Sequence, residues 1–439
     1  MFSRRNRRPK SPELLTAWEA LEAGDVPGAL RQLRHAPEDL PLAEVALVVG
    51  RAAGAAGFDD LGKAAGALAA APDQAQQLYD FGYACVERGV PYLAIPALRE
   101  ALRLVPGSAA ALRELVSAYE REERHREAVD VLAAHEQGLA AWPDRYLLVF
   151  NAVLAGDLDL ARHHHALLPA PDDDMWLPAR DRQNRVLARA ENTQAASPLD
   201  RTDLRGWQYV LGGTVLGTFS PYGFDAGMTG RYAWLQDSHE QCLRGLLRLK
   251  AVLEAAGTRP ASVSLLPDRG SRVLGLAAAE ILDLPAVAFA PERPDTVVIA
   301  YDLNETLEAA DGPEVLGGLL HRAPGQVLHE HASCWTDTPA VTPDSVALLH
   351  QSVVAPWAPA LRADADGGVE RGEPDERPEA EIAADIVAAD PTPDEGDGET
   401  PADSVERLTE FVTAVRGTWL SGERTRLKSA GPVVSSRFR

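Results

Sequence analysis

Two regions of this 439-residue chain carry side chains whose types and spacing could do chemistry. In one, Asp268-Arg269-Gly270-Ser271-Arg272 lies between the apolar run "SLLP" and the apolar stretch "VLGLAAAEIL", and Asp302 closes a later apolar run, "TVVIAYD". Gly270 would let backbone approach a ligand closely, Ser271 could cap the helix, and a helix start carries partial positive charge. With the forked donors of Arg269 and Arg272, these six residues could hold a small anion. They could equally form a plain turn, with the arginines paired to Asp268 or Asp302. The other region offers zinc-type ligands, His239-x-x-Cys242 and His329-x-His331-x-x-Cys334. Cys242 has apolar helical neighbours, and His329 and His331 alternate with Glu330 along a strand, so ordinary packing is expected and no metal site. A Cys334–His331 nucleophile pair has no third member or oxyanion turn. Asp237-Ser238-His239 reads as helix capping. His163-His164-His165 point about 100° apart on a helix and cannot converge on one ion, so solvated histidines are expected.

These residues need a scaffold, and the pattern around them supplies one. "WQYVLGGTVLGTFS" reads as β-rich, and Asp237 with Glu240 opens the helix "QCLRGLLRLKAVLEAAG". Then follow the strand "SVSLLP", the helix "VLGLAAAEIL", the strands "AVAFA" and "TVVIAYDL", a helix near "PEVLGGLL", the strand "QVLHEHA" and the helix "PDSVALLH". Alternating apolar strands and helices over residues 204–357 predict an α/β three-layer domain with a mostly parallel sheet. Ligands of such sheets sit beyond the carboxyl ends of the strands, where Asp268 to Arg272 and Asp302 fall.

The first half repeats itself. Leu78, Phe81, Cys85, Ala94 and Leu98 recur as Leu112, Leu115, Tyr119, Ala128 and Leu132, always 34 residues on. Leu78, Phe81, Gly82, Ala94, Leu98, Ala101 and Pro106 resemble the signature of a tetratricopeptide repeat. A single copy cannot bury its apolar stripe, so five copies are expected to stack into an all-α solenoid over residues 13–170. The polar helix "ARDRQNRVLARAENTQAA", within a 171–203 linker, would close its end. The resemblance implies a groove for a protein or peptide partner, lined by Tyr79, Tyr83, Glu87, Arg113, Ser117, Glu120, Arg121 and Asn151. The groove could also hold a segment of the same chain.

"LLPDRGSRVLGLAAAEILDLP" and "TVVIAYDLNETL" resemble the pyrophosphate loop and the phosphoribosyl-diphosphate loop of type I phosphoribosyltransferases. The acid pair of that family is here Tyr301-Asp302, so one carboxylate is missing. Glu305 would repel a phosphate, and the glycines that wrap it are absent. About six residues separate "AVAFA" from "TVVIAYDL", where a parallel crossover needs a dozen or more. The resemblance thus implies a degenerate, non-catalytic relative.

The formal net charge is −22, and residues 361–403 alone carry 15 acidic and 3 basic side chains. A disordered acidic linker is expected over 358–402, with disordered basic ends at 1–12 and 422–439. This balance argues against nucleic-acid binding, and no apolar run reaches the ~20 residues of a membrane span. Three scattered cysteines and no secretory leader point to the cytoplasm. Residues 403–421 form an amphipathic helix whose Val405, Leu408, Val412, Val415 and Trp419 should dock on a partner or on the chain's own domains, the solenoid among them. The expected function is a non-enzymatic scaffold or regulator without a cofactor, whose α/β domain senses an anionic ligand. The rival is a phosphoribosyltransferase-like enzyme, or a nucleotide- or phosphosugar-binding domain, acting at Asp268, Arg269, Ser271 and Asp302.

Overall fold

A computed structural model describes residues 8–363, 369–401, 403–427 and 431–435. Part of each expected basic end, Arg4, Arg5, Arg7, Lys428, Arg437 and Arg439 among them, lies outside the described residues. The chain divides into two compact units, one ending at Asp172 and the other starting at Asp173.

The first unit is helical. Helix α1 (Pro12–Glu22) packs on α2 (Val26–Arg34), α3 (Leu42–Ala56) on α4 (Asp59–Ala70), and α5 (Ala75–Glu87) on α6 (Pro91–Leu104). Two further pairs follow, α7 (Ala109–Arg121) with α8 (His125–Ala134) and α9 (Tyr146–Leu154) with α10 (Leu158–Ala166). The starts of α5 and α7, and of α6 and α8, lie 34 residues apart. Short polar residues start the helices: Asp25, Ser108 and Asp157 accept from Gly28, Ala111 and Leu160 amides. Between paired helices the chain turns through the left-handed region at Gly89 (φ 76) and Gly156 (φ 80), and Glu123 takes the equivalent position with φ 58. The first pair is also tied to later ones. Arg34 pairs with Glu122 at 2.9 Å and lies over the Tyr92 ring, while Glu38 pairs with Arg99 and Arg124.

Gly82 lets α5 and α6 approach closely, because a Cβ there would fall 2.4 Å from Leu98 Cγ. A Gly82→Ala chain is therefore expected to lose about 1–3 kcal/mol through overpacking, read as a lower melting temperature of the helical unit. An unchanged melt would mean that the α5–α6 contact is looser than described. Of the three histidines, His164 is buried and accepts from Arg145, so the expectation that all three are solvated is corrected.

The second unit is an α/β domain. Its large sheet holds seven strands in the order β1-β7-β6-β5-β3-β4, with β2 also paired to β7, and every pairing is parallel. The strands are β1 (Val215–Leu216), β2 (Tyr232–Gln236), β3 (Ser262–Leu265), β4 (Ala286–Ala288), β5 (Thr296–Ala300), β6 (Val327–Cys334) and β7 (Ser345–Val354). One face carries α13 (His239–Ala256) and α14 (Arg269–Leu282). On the other, α15 (Leu303–Glu308) and α16 (Gly312–Leu320) bury Leu303, Leu316 and Leu319 against Val298 and Leu328. The short stretch Phe289–Asp295 suffices to carry the chain from β4 across β3 to β5 in parallel, because β4 is a three-residue edge strand.

Several expectations are corrected here. The "β-rich" segment begins instead with α12 (Leu204–Gly212), capped by Asp203 and ended by Gly213 at φ 78. Burial of nearly every α12 side chain leaves no helical period to read. "PDSVALLH" is not a helix but β7, an apolar strand buried along most of its length. The helix expected to close the solenoid, α11 (Leu177–Thr193), belongs to the second unit, where Arg189 donates to the Val210 and Leu211 carbonyls at the end of α12.

The acidic stretch is not a disordered linker throughout. It contains the paired strands β8 (Leu361–Ala363) and β9 (Val369–Arg371) and α17 (Glu379–Val387), whose Ile382, Ala383 and Ile386 sink into the core beside α14. The amphipathic helix, α18 (Val405–Val415), docks within its own unit on α13 and α11. Leu408, Val412, Val415 and Trp419 are buried as expected, but Val405 is 42% exposed and Phe411 takes its place in the core. Among the described tail residues, Arg424 is buried against Asp344.

Candidate functional site

The chain leaves β3 for β4 on one side and returns to β5 on the other, so the carboxyl ends of β3 and β5 form the switch point at which sheets of this kind hold ligands in a crevice. All six residues proposed for an anion surround it, but their bonds turn inward. Asp268 caps α14 through the Ser271 amide (2.8 Å) and accepts from Thr306 Oγ1 (2.7 Å). Ser271 is buried, and its Oγ accepts from the Tyr301 amide at 3.0 Å. Asp302 caps α15 through the Asn304 amide, with His350 Nε2 3.6 Å from its other oxygen. Arg269 donates to the Asp375 and Arg377 carbonyls, and Arg272 pairs with Glu379. The two cations thus fasten the acidic segment at the start of α17 and just before it, and neither pairs with Asp268 or Asp302.

Gly270 admits a close neighbour, as expected, but that neighbour is a carboxylate of this chain: Glu305 Oε2 lies 2.7 Å from where a Cβ would stand. Packing around this carboxyl, then the charges of Asp302, Asp268 and Glu308, raises its pKa to about 7. Glu330 stands behind Asp302 and accepts from the Leu303 amide at 2.7 Å. Burial, then the charge of Asp302, pushes its pKa up to about 8. Four carboxyl groups, Asp268, Asp302, Glu305 and Glu330, thus crowd this end of the sheet, and even with Glu330 largely protonated near pH 7 they offer a phosphate no positive field.

The helical unit treats its proposed groove residues unequally. Tyr79 and Tyr83 stack with ring centroids 6.3 Å apart, and Tyr83 is 47% exposed. Glu87, Arg113 and Arg121 are exposed, and Ser117 is half-buried. Arg113 is held by the buried Asp144, and Arg121 donates to the Val86 carbonyl. Asn151 does not line an open groove. It is fully buried, donating to Glu120 and the Leu147 carbonyl and bonding His125 Nδ1. Burial also raises the pKa of Glu120.

A third constellation joins Cys242 and His331, weighed as ligands from the sequence, to Asp237 and Tyr301, which were not. Asp237 at the end of β2, Cys242 in the first turns of α13, Tyr301 after β5 and His331 within β6 meet beneath the sheet, all four fully buried. Asp237 Oδ2 lies 3.0 Å from His331 Nε2, 2.9 Å from the Tyr301 hydroxyl and 3.5 Å from Cys242 Sγ. Burial works against the Asp237 carboxylate, yet His331, the Ser238 amide and Tyr301 hold its pKa below the usual range. Burial and the charge of Asp237 drive the Cys242 thiol well above its own. Sequence reasoning weighed His239, Cys242, His329, His331 and Cys334 together as zinc-type ligands and expected ordinary packing; the fold brings only Cys242 and His331 of these together, and adds Asp237 and Tyr301. The one available signal was that Asp237 ends a strand before a cysteine-bearing helix. No known protein family matches the sequence, and no curated protein is similar to it.

Proposed function

We propose that this chain is a non-enzymatic interaction protein whose tetratricopeptide-like helical unit receives a peptide or protein segment. Its phosphoribosyltransferase-like α/β domain would provide a second binding surface rather than catalysis. The observation that carries this reading is the division of labour between the units. The crevice at β3 and β5 spends Arg269 on the chain's own carbonyls and Arg272 on Glu379, and fills its glycine approach with Glu305. The stacked Tyr79 and Tyr83, by contrast, present aromatic surface beside Glu87 and Arg121, side chains suited to grip an extended segment.

Calorimetry on the full chain tests the crevice, with phosphoribosyl diphosphate, nucleotides and inorganic phosphate titrated with and without magnesium. No heat at millimolar ligand is expected. Magnesium-dependent binding with turnover, both lost in Asp302→Asn, would overturn the proposal in favour of a transferase. Affinity capture compares the wild-type chain with Tyr79→Ala/Tyr83→Ala. A partner that binds the wild type directly after purification should bind the double variant at least ~10-fold more weakly, as for a loss of aromatic anchors. Equal affinity would remove the tyrosine face from the reading.

A further inference from the structure

The Asp237 cluster lies outside the switch-point crevice, and its geometry fits a closed metal site. Three different ligand types bring one donor atom each to a common point, all within 4.8 Å of one another. A tetrahedral zinc ion bonded at ~2.0 Å to oxygen and nitrogen and ~2.3 Å to sulfur sets its ligand atoms about 3.3–3.6 Å apart. Here the carboxylate oxygen and imidazole nitrogen are 3.0 Å apart, oxygen and sulfur 3.5 Å, and sulfur and nitrogen 3.8 Å. All three edges lie within a few tenths of an ångström of that frame. Tyr301 brings a fourth donor, its hydroxyl 2.9 Å from the same carboxylate oxygen, and its ring stacks on His331 with centroids 5.5 Å apart.

We infer that Asp237, Cys242 and His331, with the Tyr301 oxygen completing the shell, form a structural site for a divalent zinc-like ion. The mixed sulfur, nitrogen and oxygen set favours zinc over magnesium or calcium, which take oxygen ligands. Charge balances inside the core: one carboxylate and one thiolate neutralise the dication, while the imidazole and phenol stay neutral. Binding releases the Cys242 proton and frees Nε2 by placing the imidazole proton on Nδ1, so affinity falls as pH falls. The ion would join the end of β2, the start of α13 and strands β5 and β6, four pieces that meet only in the folded domain. Full burial makes it a structural ion, loaded as the chain folds.

The test uses untagged full-length protein produced in zinc-replete and in cobalt-supplemented medium. Elemental analysis is expected to find stoichiometric zinc, and the cobalt form should show the intense visible bands of tetrahedral cobalt with a thiolate-to-metal band in the near ultraviolet. Cys242→Ser should lose the thiolate band, while Cys85→Ser and Cys334→Ser keep it. Tyr301→Phe, which removes only one oxygen, should fold and bind zinc ~10–100-fold more weakly. Folded wild-type protein with substoichiometric zinc and no cobalt–thiolate band would overturn the inference and leave a metal-free hydrogen-bond network. A band that survives in Cys242→Ser would overturn it as well.

Discussion

Replacing Asp344 with asparagine is expected to cost the α/β unit about 3–5 kcal/mol, a large part of the ~5–15 kcal/mol that holds a typical domain together. Asp344 is buried and accepts from Arg424 Nε at 3.0 Å, Arg424 Nη2 at 2.8 Å and the Leu328 amide at 2.8 Å, and it also pairs with Arg322. Burial opposes this carboxylate, but Arg424 and Arg322 hold its pKa below the usual range. Asparagine would leave both guanidinium groups inside the protein facing no opposite charge. The same residue anchors the chain beyond α18, since Trp419 Nε1 donates to the Asp344 carbonyl and Arg424 also donates to the Leu319 carbonyl and Gln326. Urea unfolding read by hydrogen exchange of residues 405–419 would locate the loss in this part of the molecule. Adding Arg424→Met to Asp344→Asn should recover part of it, because the double change removes a buried charge together with its counter-charge. A loss below ~1 kcal/mol for the single variant would show that water reaches the pair.

Stability of the same unit is expected to fall as pH rises from about 4.5 to about 8, and Glu330→Gln should flatten that slope. Glu330 is buried, and its pKa rises from an ordinary 4.5 to about 8 on folding. Below 4.5 the carboxyl is protonated in both the folded and the unfolded chain. Between the two values the unfolded chain gives up its proton and the folded chain keeps it, which favours unfolding by up to about 1.4 kcal/mol for each pH unit. Glutamine keeps an oxygen for the Leu303 amide and carries no charge at any pH, so the variant should match the wild type near pH 4.5 and exceed it near pH 8. Glu305 shifts in the same direction, but it is exposed to solvent and should add a smaller effect. Melting curves across this range decide the matter, and parallel profiles for the wild type and Glu330→Gln would refute it.

The sequence revealed the elements whose evidence is local. The 34-residue recurrence marks helix pairs because each copy must present the same stripe to its neighbours, and the helical unit bears this out from α5 to α8. Helix α14 was equally plain, bracketed by Asp268 and a left-handed Asp283. Strand β7 was not, because a run buried on both faces shows no alternation, and Pro343-Asp344 resembles a helix start when Arg424 is out of view. Helix α17 was lost among its acids, since three buried apolar residues are too few to outweigh the local composition. The candidate sites failed for a related reason. Arg269 and Arg272 find their partners about a hundred residues later, and Asp237, Cys242, Tyr301 and His331 come from four separate elements. Residue type was legible at these positions, but the partner was not.

The return of α17, α18 and Arg424 to the sheet also bears on how the chain is made. All seven strands of the large sheet leave the ribosome before these pieces do. Until they arrive, the surfaces of α13 and α14 that they later cover stay open to the surroundings, and Asp344 waits for Arg424. The helical unit is largely spared this delay, because most of its contacts join neighbours in sequence. During synthesis the helical unit can therefore finish folding early, while the surfaces of α13 and α14 stay open until α17, α18 and Arg424 have emerged.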